Sequence, residues 1–160
     1  VYKDGVNQVG VATVDLPELS HMTDTISGAG VAGEIETSVL GHFQAMSATI
    51  NWRSITEEAL ALLNMSGVEL TFRGSQQFLD NATNELVPKG VKIITKGITK
   101  TVGLGSLEVG ASSDTTTEYE ITYLKIEIAD KEVIELDKLN FIYKVNGTDL
   151  LSDVRSQLGM

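Results

Sequence analysis

Apolar and polar residues alternate with period two along much of the chain. Between residues 44 and 53, Met46, Ala48, Ile50 and Trp52 alternate with Ala45, Ser47, Thr49 and Asn51, as in a strand with one buried face. Val68, Leu70 and Phe72 alternate with Glu69, Thr71 and Arg73, and this strand is expected to continue toward Phe78 before the turn residues Asp80, Asn81 and Asn84. Tyr119, Ile121 and Tyr123 oppose Thr122, Leu124, Ile126 and Ile128. The turn Ala129-Asp130-Lys131 then leads into residues 132–136, so the pair reads as a hairpin. Leu139, Phe141, Tyr143 and Val145 alternate with Asn140, Ile142 and Lys144 as far as Asn146-Gly147, a pair that tolerates positive φ. Over residues 91–102 the alternation is mixed. Lys92, Lys96 and Lys100 share parity with Ile94 and Ile98, which suits a strand whose faces meet partners and solvent at different heights.

The remaining segments punctuate these strands. Residues 8–14 are β-rich and stop at Leu16-Pro17, where proline removes a ladder donor. Ser20 to Gly33 reads as irregular, ahead of a short strand over residues 34–39. Ser54 with Glu57 forms a capping-box pattern for a short helix ending near Asn64 to Gly67. Thr148 or Asp149 is placed to cap a terminal helix carrying Leu150, Leu151, Val154 and Leu158, with Gly159 as its stop. Residues 103–117, rich in Gly, Ser and Thr, read as a mobile loop or hairpin tip. The sum is roughly seven strands and two short helices: a mostly β (α+β) sandwich or barrel in a single domain spanning residues 1–160, with no repeat of a solenoid or propeller.

Composition narrows the function. The chain has 160 residues, 42% hydrophobic and 21% charged, which is ordinary globular usage. It has no cysteine, so disulfides, thiolate nucleophiles and cysteine zinc sites are excluded. Its apolar runs are too short for a transmembrane helix and Val1 opens no signal peptide, so a soluble, cytoplasmically made protein without membrane anchoring is expected, a few N-terminal residues having been removed or left out. A net charge of −10 has the wrong sign for gripping phosphates but suits a surface past which nucleic acid slides without specific binding.

Catalytic constellations fall short one by one. The G-x-G-x-x-G spacing of Gly28, Gly30 and Gly33 follows no buried strand and opens no helix, so it reads as a bending loop rather than a dinucleotide cradle. His21 and His42 are the only histidines, too few for a zinc site and in no triad context. The adjacent acids Glu57-Glu58 and Glu118/Glu120 are explained by a helix start and an exposed strand face. Trp52, Tyr119, Tyr123 and Tyr143 occupy strand positions typical of core or interface aromatics. No cofactor, metal or catalytic residue is expected.

The order of short motifs is more informative. Leu16-Pro17-x-Leu19, Gly28-Ala29-Gly30-x-x-Gly33, Phe72-Arg73-Gly74-Ser75 and Gly97-x-x-Lys100 come first. Tyr123-x-Lys125, Glu135-x-Asp137, Asn140, Val145-Asn146-Gly147-x-Asp149, Arg155 and Leu158-Gly159-Met160 follow. Over nearly its whole length the chain resembles the major tail tube proteins of contractile phage tails, departing mainly over residues 106–117. The resemblance implies a β-sandwich or barrel subunit forming hexameric rings, stacked into an inner tube with a continuous lumen-lining barrel. It also implies a contractile sheath protein, baseplate and tail terminator proteins as partners, DNA in transit and a place in the virion tail. Glu34, Glu36, Glu118 and Glu120 are then candidate lumen or inter-subunit acids. Gly28, Gly30, Gly33, Ser106 and Thr117 mark candidate inter-ring or inter-subunit loops. Tubes of DNA-free contractile bacteriocins and of type VI secretion-like particles share the resemblance, and a monomeric β-sandwich binding module is the reading from another class.

Overall fold

The computed structural model of the chain describes residues 1–3, 7–8, 12–27, 32–64, 67–80 and 84–159. Among the described residues the scaffold is a ten-stranded antiparallel sheet built on three long strands, β7 (Val68–Asp80), β8 (Glu85–Gly103) and β9 (Thr115–Ile128). On one side β7 pairs with β1 (Tyr2–Lys3), which pairs with β2 (Asn7–Gln8). The far edge of β9 is shared. Its first half pairs with β6 (Ser47–Trp52), to which β3 (Ala12–Asp15) adds, and its second half pairs with β10 (Lys131–Asp137), followed by β11 (Ile142–Val145) and β12 (Thr148–Asp149). A separate two-stranded sheet joins β4 (His21–Ser27) to β5 (Glu34–Phe43).

The apolar face expected of residues 44–53 is the core: Met46, Ala48, Ile50 and Trp52 are buried against Leu70, Tyr119, Ile121 and Leu124. Along β9 the expected alternation reverses after Ile121, so that Leu124 rather than Tyr123 joins Tyr119 and Ile121. The register with β8 slips between Ile121 and Tyr123, leaving Thr122 as an inserted residue, so Tyr119 and Ile121 share the inner face with Leu124. Opposite this slip, Gly97 packs so closely that a Cβ would strike the Glu120 carbonyl oxygen. The mixed strand resolves in the same way: Ile93, Thr95 and Gly97 face the core, whereas Lys92, Ile94, Lys96 and Ile98 face outward.

Buried hydroxyls in this core have partners. Thr95 Oγ1 donates to the Leu70 carbonyl at 3.2 Å and meets the Tyr119 hydroxyl at 2.9 Å, and the Trp52 indole donates to Thr117 Oγ1 at 3.0 Å.

The helices are α1 (Glu57–Ala61) and α2 (Ser152–Leu158). Thr56 rather than Ser54 caps α1, its hydroxyl accepting from the Ala59 N–H, and Ala59 and Leu62 enter the core. Gly159 terminates α2 in the left-handed conformation. Several segments differ from expectation: β5 runs on to Phe43, β11 starts only at Ile142, and Thr148–Asp149 pair as β12, leaving α2 without a side-chain cap. Residues 21–27 form β4 because pairing with β5 overrides their polar composition. The loop after β8 covers only residues 104–114, since Thr115–Thr117 are drawn into β9 by β6, with Thr115 and Thr117 buried.

Candidate assembly surfaces

The outward face of the main sheet carries a lattice of cross-strand ion pairs. Glu69 meets Lys96 at 3.1 Å, Lys92 meets Glu127 at 3.1 Å, and Lys125 bridges Glu127 and Glu132. Lys144 meets Glu135 at 2.6 Å, while the Tyr123 hydroxyl donates to Glu135 and the Lys96 ammonium lies over the Tyr123 ring. The geometry perturbs these groups. Lys125 and Lys92 hold the Glu127 carboxyl below its usual range, and Lys144 does so for Glu135. Burial, followed by the neighbouring Glu135, pushes the Tyr123 phenol up to about 12.

Two of the nominated acids lie on this face, and each has a basic neighbour. Glu118 pairs with Lys100 at 3.0 Å; Glu120 accepts from the Met46 N–H and lies 3.6 Å from Lys138. Glu34 and Glu36 stand elsewhere, exposed on β5, with Glu36 accepting from the Thr23 hydroxyl at 2.6 Å. The four acids therefore do not form one site. The excess negative charge lies off the main sheet in part: residues 21–43 contain Asp24, Glu34 and Glu36 and no Lys or Arg.

Two hairpins present apolar side chains to solvent. Residues 75–80 of β7 and 85–90 of β8 continue as a pair past the point where β9 joins at Val91. On this arm Phe78 lies opposite Val87 on one face and Leu79 opposite Leu86 on the other, all four exposed. The β4–β5 hairpin places Ile26 opposite Ile35, each about half exposed. A two-stranded ribbon alone is marginal in water, and apolar groups on both faces of one suit a strand covered on both sides.

The loop positions fall differently. Gly28 and Gly30 lie outside the described residues. Gly33 is exposed at the entrance to β5 with φ +139. Ser106 lies in the exposed loop after β8, its N–H donating to the Ser113 carbonyl. Thr117, expected in that loop, is fully buried in β9 and holds the Trp52 indole, so it cannot serve as a contact loop.

The motif residues do structural work around the arms. Phe72, Arg73 and Gly74 form the root of the β7–β8 arm: Phe72 faces the core, Arg73 stacks on Tyr2, and Gly74 has open space around it. Asp137 holds a turn by accepting from the Leu139 and Asn140 N–H groups. Asn146 and Gly147, both with positive φ, turn β11 into β12. Asp149 accepts from the Leu151 N–H and pairs with Arg155, which also donates to the Phe141 carbonyl. This C-terminal unit braces the β4–β5 hairpin, because Gly41 packs on Leu151, His42 on Phe141, and Phe43 with His21 on Tyr143. Sequence reasoning missed these roles for the two histidines, because their partners Tyr143 and Phe141 lie far away along the chain.

Residues 1–159 match the family of phage tail tube protein FII. The chain belongs to this family. It is 29% identical to the tail tube protein of Escherichia phage P2 over 100% of the chain and 94% of that protein. It is also 26% identical to the major tail tube protein of Serratia phage KSP20, over 100% of the chain and 92% of that protein. It is thus a structural tail tube protein, a component of the virion tail, and the surfaces above are those of a subunit that associates with its own kind.

Proposed function

We propose that this subunit polymerises as stacked hexameric rings into the inner tube of a contractile tail, with the ion-paired face of the main sheet toward a channel for DNA. The carrying observation is the contrast between two surfaces. The sheet face satisfies its own charges, whereas the two hairpins expose apolar residues that only another protein surface can cover. Closing strands into rings removes the exposed sheet edges. A channel wall whose acids stand beside lysines offers passing phosphates neither strong attraction nor strong repulsion, so the chain transmits DNA without binding it specifically. The outside of the tube meets the sheath protein, and its ends meet baseplate and tail terminator proteins. The subunit performs no catalysis.

Negative-stain imaging of the purified chain tests this reading. Rings or long hollow tubes are the expected result; a monodisperse monomer at high concentration contradicts it.

A further inference from the structure

We propose that the β4–β5 hairpin of one copy lies along the β7–β8 arm of a second copy, with Ile26 and Ile35 covering the apolar root of that arm and Asp24 meeting Lys89. The inference rests on the tube-subunit reading and names the contact that holds copies together. The receiving surface is one face of the arm. Beyond the buried core pair Phe72 and Ile93, Gly74 opposite Val91, Gln76 opposite Lys89 and Phe78 opposite Val87 share that face in register. Near its root is an open groove of about 230 Å³, floored by the buried Phe72 and Ile93 and bordered by Val91, Gln76 and the half-exposed Leu16. Lys89 is the cation on this face; it lies over the Phe78 ring and, among the described residues, has no carboxylate partner.

The incoming surface has the complementary pattern. Ile26 lies opposite Ile35 and Asp24 opposite Thr37, so these four share one face of the β4–β5 hairpin. The other face is polar, with Glu34, Glu36, Thr23 and Thr25, and needs no cover. Asp24 has no basic partner among the described residues, and no Lys or Arg occurs within residues 21–43 to supply one locally. The spacings agree as well. Asp24 and Ile26 stand two residues apart along β4, as do Lys89 and Val91 along β8, about 7 Å in each case. One carboxylate beside an apolar pair therefore faces one ammonium beside an apolar groove, a charge match that fixes register as well as partner.

The contact can be read from the wild-type chain. Tubes assembled from an equal mixture of unlabelled and ¹⁵N-labelled protein are treated with a zero-length carboxyl–amine coupling reagent and digested for mass spectrometry. An Asp24–Lys89 cross-link carrying one label of each kind is expected. Tubes that form without it overturn the contact while leaving the tube reading standing; a wild-type chain that never assembles overturns both. A charge exchange gives the independent check, since both side chains are exposed and outside the core. Asp24→Lys or Lys89→Asp alone should raise the concentration at which tubes appear by about tenfold, and the double exchange should return it to within about twofold of wild type. A double variant as defective as either single one overturns the proposal.

Discussion

The Thr95–Tyr119 pair gives the sharpest test of how the core is held. Thr95 spends its one hydroxyl proton on the Leu70 carbonyl, so the Tyr119 hydroxyl must be the donor in the 2.9 Å bond between them. Thr95 is fully buried and Tyr119 is 2% exposed, so water cannot replace either partner. Tyr119→Phe removes the donor and leaves Thr95 still bonded to Leu70, which should cost about 1 kcal/mol, the net value of one hydrogen bond. Thr95→Val keeps the shape but strands the tyrosine proton, and should cost about 2–3 kcal/mol. The double variant should be only slightly worse than Tyr119→Phe, because no orphan donor remains. The measurement is urea unfolding by tryptophan fluorescence at a concentration too low for assembly, where the differences are read as shifts of the midpoint at unchanged slope. A Thr95→Val variant as stable as Tyr119→Phe, or strictly additive costs, would refute the assignment of donor and acceptor.

Other predictions follow from the same structure. Gly97→Ala drives a methyl into the Glu120 carbonyl at the register slip and should destabilise the subunit by about 2–3 kcal/mol in the same unfolding assay. Gly41→Ala combines a left-handed backbone, φ +76, with contact on Leu151, so hydrogen exchange should speed up through β4, β5 and α2 while β8 and β9 remain protected. Burial raises the Tyr119 and Tyr123 phenols, so above about pH 10 the folded chain binds more protons than the unfolded one and stability falls as pH rises. Tyr119→Phe should flatten that decline. At the acid end, Glu127, Glu135 and Asp149 are held below their usual range, so their contribution is present above it and is lost as pH falls through their folded values, a loss visible as a declining Tm.

The strands with one buried face were legible in the sequence because alternation and burial coincide: Met46 to Trp52 and Val68 to Phe72 fold as their period implies. The phase change along β9 was not legible: plain alternation groups Tyr123 with Tyr119 and Ile121, whereas the inserted Thr122 in the pairing with β8 puts Leu124 on their face. The β4 strand was not legible, since its pairing depends on β5 rather than on its own polar residues. Thr117 reads as loop in the sequence because a buried threonine looks like an exposed one until its partner, the Trp52 indole, is placed. Among the candidate acids, parity could put Glu118 and Glu120 on one face but could not reveal Lys100 and Lys138 beside them, because those contacts cross between distant parts of the chain.

The most direct test of the central claim is a cryo-electron microscopy reconstruction of tubes assembled from the wild-type chain. It should place Lys92, Lys96, Lys125, Glu127 and Glu135 on the channel wall and bury Phe78, Leu86, Ile26 and Ile35 between copies. A reconstruction with the ion-paired face packed against a neighbour and the apolar hairpins left in solvent would contradict it.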